Sequence, residues 1–310
     1  MRMDHVRQAR IALTCLRYVR DAASITRGER DAHDAFILST ISNVSAAFLN
    51  QATENAVRFA TADSPLPDEV LRPISINALA QSLGMPFETV RRRVGGLRRQ
   101  GLIEASPAGV VILSKTLASP AHTAMVEAHF ERAQQFYEAM KTLNALPLIS
   151  DAPLSETPPP APPVRAVSRA VSDYFLRFAQ PMIALCGNLI TAAVLAEIIL
   201  GNTEEMDDAA IARWLADAGA CGRPVKLAEV AEPIGFSRET ARRHANLLEE
   251  RGLVTPIRRG FVAVAPPQLH EALTNLADSN LSDARRFFAT IHRFGVLARW
   301  EAERRDSGGS

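Results

Sequence analysis

Apolar and polar positions follow the same order in two stretches of the sequence, residues 73–103 and 224–254. In each stretch apolar residues recur at i, i+3, i+4 and i+7, which predicts a short helix with one buried face. These residues are Ile76, Leu79, Ala80 and Leu83 in the first stretch and Leu227, Val230, Ala231 and Ile234 in the second. Gly84 and Gly235 follow directly, where a chain that leaves a helix often needs a positive φ. The pattern therefore predicts that a helix ends at each glycine.

A second amphipathic helix is predicted after each of these turns. Its apolar positions are Val90, Val94 and Leu97 in the first stretch and Ala241, Ala245 and Leu248 in the second. Gly101 and Gly252 are expected to end it. Two short apolar runs around a glycine-containing turn follow each helix, which predicts a β-hairpin. The runs are 102–103 and 110–113 in the first half of the chain, and 253–254 and 261–264 in the second.

The two stretches align without a gap at a single offset, which places Gly84 opposite Gly235. Identical pairs include Gly84/Gly235, Glu88/Glu239, Thr89/Thr240, Arg91/Arg242, Arg92/Arg243, Leu97/Leu248, Gly101/Gly252 and Leu102/Leu253. Self-similarity at a fixed offset indicates an internal duplication. The predicted fold class is therefore mostly α with small β-wings, as two tandem winged helix-turn-helix domains related by internal duplication.

Longer helices are predicted around both stretches, and a proline-rich segment separates the two halves. Helical spacing predicts helices over residues 4–20, 31–50, 121–143, 181–200 and 280–304. Residues 147–163 contain seven prolines, which favours an extended spacer. We therefore predict domains at 1–146 and 164–306, joined by a linker at 147–163. The first helix is basic and amphipathic, and we expect it to pack on its own domain.

The formal net charge of the chain is only +1, so affinity for an acidic partner has to come from local patches. One patch is predicted on the second helix of the first stretch, formed by Arg91, Arg92, Arg93, Arg98 and Arg99.

Three widely spaced cysteines favour a reducing compartment over a disulfide framework. The apolar stretch 181–200 contains Asn188 and Glu197, so no membrane span is predicted. The expected location is the cytoplasm, in association with the nucleoid.

The sequence contains no Walker-type phosphate loop, Gly-x-Ser-x-Gly elbow or His-Glu-x-x-His pair, motifs that would indicate an enzyme. Its histidines are scattered, and we predict no metal site and no cofactor. Phe136-Tyr137 and Phe287-Phe288 lie at matching places in the two halves, where core packing is favoured over an effector pocket. These features predict a binding protein rather than an enzyme.

Residues 235–244, Gly-Phe-Ser-Arg-Glu-Thr-Ala-Arg-Arg-His, resemble the winged helix-turn-helix of the cyclic-AMP-receptor-type bacterial regulators. In that family an Arg and a Glu in the first turn of the recognition helix, and an Arg about one turn later, contact base edges. The resemblance therefore implies base contacts by Arg238, Glu239 and Arg243.

The first stretch keeps Glu88 and Arg92 of this pattern, which makes them base-contact candidates as well. It departs from the family at Phe87, where the pattern has Arg, and at Pro86, where it has Ser. The chain lacks a cyclic-nucleotide-binding β-roll, and its long helices resemble those of the dimeric multidrug-resistance-type (MarR-like) regulators.

Residues that flank the predicted base-contacting face are expected to hold DNA phosphates. These are Ser237, Thr240 and Arg242 in the second stretch and Thr89 and Arg91 in the first. Arg258 and Arg259 are predicted at the tip of the second hairpin, from which they would contact phosphate or the minor groove. A solvated arginine face without a partner is the alternative interpretation of the same pattern.

The sequence as a whole predicts a transcription regulator that binds double-stranded DNA sequence-specifically with two unequal recognition helices. If the halves pack with approximate two-fold symmetry, one chain would contact two unlike half-sites ~34 Å apart or a multiple of that. Two alternatives stay open: a plasmid-type replication initiator, and a winged-helix interaction scaffold of the chromosome-segregation kind. Homodimerisation through the long helices is also left open, as is the identity of any small-molecule effector.

Overall fold

The computed structural model describes residues 2–50, 54–146, 159 and 161–307, and this part of the chain is mostly helical. The first half contains α1 (Arg2–Arg27), α2 (Ala32–Ala46), α3 (Glu54–Arg58), α4 (Ile76–Leu83), α5 (Phe87–Arg99), β1 (Ile103–Ser106), β2 (Gly109–Ile112), α6 (Ser114–Leu117) and α7 (Pro120–Thr142). The second half contains α8 (Val164–Cys186), α9 (Leu189–Asn202), α10 (Asp208–Ala216), α11 (Ala218–Cys221), α12 (Leu227–Ile234), α13 (Arg238–Glu250), β3 (Val254–Ile257), β4 (Gly260–Ala263), α14 (His270–His292) and α15 (Val296–Ser307). The predicted linker 147–163 lies outside the described residues except for 159 and 161–163.

The described residues form two compact units, each assembled from two separate parts of the chain. The N-unit comprises Ile25–Leu176 with Asp283–Ser310, and the C-unit comprises Arg177–Ser282 with Met1–Ser24. Each unit contains one helix pair followed by one hairpin. We call residues 74–112 the N-segment and residues 225–263 the C-segment. The predicted helix pairs and the two small antiparallel strand pairs are confirmed.

Glycines end the first helix of each segment in the same conformation. Gly84 follows α4 with φ 59° and ψ 32°, and Gly235 follows α12 with φ 74° and ψ 30°. Both values lie in the left-handed region, which glycine enters without the steric cost of a Cβ. The positive φ predicted at these two positions is confirmed, and it sets the turn into α5 and α13.

The hairpins are held to the start of their own segments by a matching backbone bridge. Strand β1 pairs antiparallel with β2 and β3 with β4, and isolated bridges join Ile74 to Val110 and Val225 to Phe261. Gly109 and Gly260 lie beside these bridges with φ of +132° and +147°. A Cβ at either glycine would overlap the carbonyl oxygen of Ile74 or Val225. Both hairpins therefore require glycine at this position.

In the C-unit, α9 is the central helix and packs against α12, α13 and β4. Asn202 at its C-terminal end is fully buried and donates to the carbonyl oxygens of Arg223 and Phe261 at 2.6 and 3.0 Å. Its Oδ1 accepts from the Ala263 N–H at 2.7 Å. One side chain thereby fixes both the loop before α12 and strand β4 to α9.

The start of α1 belongs to the C-unit, in contrast to the expectation that this helix packs on its own half of the chain. Val6 and Leu13 bury their side chains with Ile211 of α10. Arg10 forms an ion pair with Asp208, and Arg20 lies 3.7 Å from the buried Glu197 of α9. The apolar stripe of α1 was predicted correctly, whereas the partner of that stripe was not.

In the N-unit, α2 packs against α4, α5 and β2, and an aromatic cluster joins α7, α14 and α15. Phe136 and Phe288 have ring centroids 5.1 Å apart, and Tyr137 lies 5.7 Å from Trp300. The preference for core packing of Phe136-Tyr137 and Phe287-Phe288 is confirmed, since all four side chains are buried.

Two predicted helices are broken in the structure. The apolar stretch 181–200 is divided between α8 and α9, because Gly187 takes a φ of +90° and Asn188 caps the next helix by accepting from the Thr191 N–H at 2.9 Å. The predicted helix over 280–304 is interrupted between α14 and α15, where Gly295 has a φ of +75°. Glycine at both breaks permits a conformation that periodicity alone does not reveal.

Among the described helices, none is by itself both long and apolar enough to cross a membrane. Only together do the helices Val164–Cys186 and Leu189–Asn202 have the length and hydropathy of a membrane span. The chain bends by 94° between them.

Candidate nucleic-acid interface

The first turn of α13 exposes the residues that the sequence singled out. Ser237 caps the helix by accepting from the Thr240 N–H at 3.1 Å, and it leaves Arg238 and Glu239 exposed. The cap satisfies one of the free N–H groups of the helix start, which orders the first turn. The other N–H groups of this turn and the helix dipole favour negative charge nearby.

Glu239 forms an ion pair with Arg242 on this face. Arg242 Nη2 donates to both of its carboxylate oxygens, at 2.8 and 3.1 Å, and both side chains are exposed. An exposed pair at i, i+3 contributes only about 0.2–0.5 kcal/mol. It can therefore exchange for contacts to a ligand at little cost.

Arg243 is exposed and is oriented by a buried chain of hydrogen bonds. Its Nη2 lies 3.4 Å from Nε2 of His244, a side chain that is only 5% exposed. His244 Nδ1 lies 2.8 Å from Oγ1 of Thr191, which donates to Asn188 Oδ1 at 3.0 Å. Since Thr191 donates to Asn188, it accepts from His244 Nδ1–H, and Nε2 of the neutral ring accepts from Arg243.

The sequence interpretation missed this chain of hydrogen bonds. His244 counted only as one of several scattered histidines, and Asn188 only as an argument against a membrane span. The available signal was a polar residue on the apolar face of α13, three positions after Ala241 and one before Ala245. A histidine at such a position needs a buried polar partner, and Thr191 on α9 supplies it.

Helix α5 presents a related but different surface. Pro86 precedes it without a side-chain cap, and Phe87 is 45% exposed where α13 has an exposed arginine. Glu88 and Arg91 form an exposed ion pair at 2.8 Å, which matches the pair formed by Glu239 and Arg242. Arg92 is exposed and forms no ion pair with the described residues.

One arginine of the patch predicted on α5, Arg93, is half-buried and paired with acidic side chains. Arg93 Nη1 donates to Asp31 at 2.6 Å and to Asp34 at 2.8 Å, both on the N-terminal end of α2. Burial raises the pKa of Asp31, but Arg93, His33 and two backbone N–H groups outweigh it, so that the pKa is lowered. Arg93 therefore joins α5 to α2, and Arg91, Arg92, Arg98 and Arg99 remain exposed.

The hairpin tips differ in charge. Arg258 and Arg259 form the two-residue turn between β3 and β4, and both are exposed, as predicted. The matching turn in the N-segment consists of Pro107 and Ala108. Only the C-segment thus carries positive charge at this tip.

The structure places most predicted contact residues on open surface. Arg91, Arg92, Arg238, Arg242, Arg243, Arg258, Arg259, Glu88, Glu239 and Ser237 are exposed, while Thr89 and Thr240 are half-buried. Among the described residues, no group of three or more His, Cys, Asp or Glu side chains is placed to hold a metal ion.

Comparison with family models, curated proteins and solved structures finds no match for this chain. The assignment of a function therefore rests on the geometry of the two segments.

Proposed function

We propose that this protein is a transcription regulator that binds double-stranded DNA sequence-specifically through two winged helix-turn-helix domains in one chain. The observation that carries the proposal is the exposed Glu-x-x-Arg-Arg face shared by α5 and α13, each presented by the second helix of a helix pair with a hairpin behind it. Helices in this position enter the major groove in known helix-turn-helix complexes.

An internal duplication is the simplest origin of the two domains. Gly84 and Gly235, Gly101 and Gly252, and Gly109 and Gly260 match in sequence position and in the sign of φ. The backbone bridge from Ile74 or Val225 to the second strand of the hairpin also recurs. Paired positive-φ glycines at three separate turns are difficult to explain by independent origins, because each turn restricts the residue type separately.

In the C-segment, α13 would contact base edges and phosphates together. Arg238 and Arg243 are suited to guanine O6 and N7, and Glu239 to the amino group of cytosine. On binding, Arg242 would leave Glu239 for a phosphate, a step that costs little because their ion pair is exposed. Arg258 and Arg259 would contact the backbone or the minor groove beside the hairpin.

The N-segment would contribute less base discrimination. Phe87 replaces the arginine of the first turn, no side chain caps α5, and the hairpin tip is uncharged. Glu88 and Arg92 remain as base contacts, with Thr89 and Arg91 on phosphates. Two unlike contact surfaces predict a non-palindromic binding site.

The test is selection of preferred duplexes from a random library, followed by fluorescence titration at several salt concentrations. Arg243→Ala is expected to weaken the preferred duplex by ~1–3 kcal/mol and to relax its specificity. Arg258→Ala should weaken all duplexes alike and reduce the salt slope by about 1. Arg213→Ala, an exposed arginine on α10 of the same unit, is the matched control and should change neither property.

If an Arg92→Ala, Arg243→Ala double variant bound every duplex as the unchanged protein does, base contact by α5 and α13 would be ruled out. If the unchanged protein selected no duplex and showed no salt-dependent binding, the two segments would be protein-interaction modules.

A further inference from the structure

The N-unit contains a cavity of about 80 Å³ whose walls come from α2, α7, α8 and the segments next to them. Among the described lining residues, none belongs to α5, and Ile112 is the one that belongs to the hairpin. Its polar lining includes Arg30, Asn43, His122, His129, Arg165 and Arg169. Among the described residues that line the cavity, none is an aspartate or a glutamate. A cavity with several cationic groups and no carboxylate favours an anion.

Arg165 is the central cation of this cavity. It is only 6% exposed, and its Nε and Nη1 donate to the carbonyl oxygens of Ala62 and Leu117 at 2.9 and 2.8 Å. Burial lowers the pKa of Arg165, and the charge of Asp63 partly opposes this effect. Carbonyl oxygens hold the guanidinium in place without neutralising its charge. The positive charge of Arg165 is therefore available to a bound anion.

Arg169, one helical turn later on α8, adds a second cation. It donates to the carbonyl oxygens of Phe59 and Ala56 at 2.8 and 3.4 Å. Burial, followed by the charge of Arg165, lowers the pKa of Arg169 to about 10. Arg169 therefore remains protonated at neutral pH, and the two arginines repel each other unless an anion lies between or beside them.

Two histidines also line the cavity, His122 and His129. Burial, then Arg165, His129 and Arg30, lowers the pKa of His122 to about 4, so its ring is neutral near pH 7. His129 lies 2.9 Å from Ser168 Oγ through Nδ1 and 3.1 Å from Thr26 Oγ1 through Nε2. A neutral His122 and the hydroxyl groups around it are suited to hydrogen bonds with a ligand.

Asn43 supplies an independent sign of a ligand. Its side chain on α2 lines the cavity and is 8% exposed, and its Oδ1 accepts no hydrogen bond from any residue that the structure describes. A buried acceptor without a donor destabilises the folded state, because it loses its hydrogen bonds to water and gains none. A ligand that carried an O–H or N–H group would remove this cost.

We propose that this cavity binds a small oxyanion that also carries a hydroxyl group, with its negative charge near Arg165 and Arg169 and its hydroxyl donating to Asn43. A volume of 80 Å³ accommodates on the order of six non-hydrogen atoms. Small hydroxycarboxylates and hydrogen phosphate share this chemistry. The cavity lies within the N-unit, and binding of an oxyanion there does not depend on DNA binding.

Isothermal titration calorimetry of the full chain at constant ionic strength tests the proposal with four probes: glycolate, lactate, inorganic phosphate and the neutral lactamide. The oxyanions are expected to bind with a stoichiometry of one per chain, and lactamide is not. A preference for glycolate and lactate over phosphate would identify an organic ligand, and the reverse preference an inorganic one.

Three variants locate the site. Arg30→Gln at the exposed rim of the cavity is expected to weaken oxyanion binding about fivefold, whereas Arg286→Gln, an exposed arginine of the same unit outside the cavity, is not. Asn43→Leu is expected to raise the melting temperature of the ligand-free protein, because it removes a buried unpaired acceptor, and to weaken the ligand about fivefold. A purely structural role for Asn43 would lower the melting temperature instead.

The proposal is overturned if none of the three oxyanions binds, or if lactamide binds as tightly as lactate. It is equally overturned if Arg30→Gln and Asn43→Leu both leave oxyanion affinity unchanged, since binding would then occur elsewhere on the surface.

Discussion

His244 shows how a buried side chain controls an exposed one. It accepts from Arg243 Nη2 at 3.4 Å and donates to Thr191, so that one nitrogen of the exposed guanidinium is hydrogen-bonded to the packed side of α13. A pre-oriented arginine loses less conformational entropy when it forms a bidentate contact. The orientation of Arg243 is therefore built into the packing of α13 on α9.

Under the proposed function, substitution of His244 by Phe is expected to relax specificity at the base pair that Arg243 would contact. It should leave the salt slope unchanged, because the charge of Arg243 remains. Thr191→Val removes the same chain of hydrogen bonds without a change in α13 and should act in the same direction. The measurement is titration of the preferred duplex and of single-base variants. Unchanged discrimination in both variants would exclude the orienting role of His244.

Alanine substitutions at Gly109 and Gly96, both in the N-unit, are expected to change the free energy of unfolding in opposite directions. Gly109→Ala places a Cβ against the Ile74 carbonyl at a positive φ and is expected to lower the free energy of unfolding by ~1–3 kcal/mol. Gly96 lies inside α5, and its Cβ would come no closer than 4.0 Å to Arg99. Gly96→Ala should therefore raise the free energy of unfolding by up to ~1 kcal/mol. Urea denaturation followed by circular dichroism measures both.

At the scale of elements, charged contacts decide how helices meet. Arg93 joins α5 to the start of α2 through Asp31 and Asp34, and Glu197 lies buried on α9 near Arg20 of α1. Helical periodicity assigns charged side chains only to an exposed face. In these contacts such side chains instead form ion pairs between helices. In the arginine run on α5, Arg93 is therefore structural support, whereas Arg91, Arg92, Arg98 and Arg99 stay exposed.

Glu197 makes the stability of the C-unit depend on pH. Burial raises its pKa to about 7, since the nearby Asp21 adds to this effect and Arg20 opposes it only in part. The pKa in the folded state is above the unfolded value of ~4.3, so the folded state binds more protons between the two values. The free energy of unfolding therefore falls as the pH rises from about 4 to 7.

Glu197→Gln should remove this pH dependence and make the protein more stable at pH 8 than the unchanged chain. Thermal melts at pH 5, 6, 7 and 8 measure the effect. Glu232→Gln changes an exposed glutamate of the same unit and serves as the control. A parallel pH profile for the Glu197 variant and the unchanged protein would contradict the assignment.

At the scale of the whole molecule, the leading helix of each half contributes to the other half's unit. Residues up to Ser24 of α1 belong to the C-unit, and residues 164–176 of α8 belong to the N-unit. Neither unit is therefore complete without residues from the far part of the chain. A division of the protein at the proline-rich segment would separate each unit from one of its own helices.

Leu13→Ala should destabilise the C-unit, whereas Val167→Ala should destabilise the N-unit. Both side chains are buried, and a large-to-small change in a core costs ~1–5 kcal/mol. Hydrogen exchange is expected to accelerate in residues 199–212 for the first variant and around Ala60 for the second, because the Arg165 and Ala166 N–H groups bond the Ala60 carbonyl. Faster exchange near Ala60 in Leu13→Ala, and not in 199–212, would be the contrary result.

The sequence by itself determined the local elements of this protein: α4, α5, α12 and α13, the two hairpins, and the glycines that end and join them. These follow from spacing and backbone freedom, which act over a few residues. Exposure of Arg92, Arg238, Arg243, Arg258 and Arg259 followed from the same helical and turn geometry.

Only the tertiary structure decided which unit receives α1, that Arg93 turns toward α2, that His244 orients Arg243, and that Arg165 and Asn43 line one cavity. Each of these contacts joins residues far apart in the chain, such as Arg10 with Asp208 or Thr191 with His244. Periodicity reports that a face is buried but contains no information about the surface that covers it. The identity of that surface depends on the packing of all helices at once, which is why the exposure of the predicted contact residues followed from the sequence while the buried contacts beneath them did not.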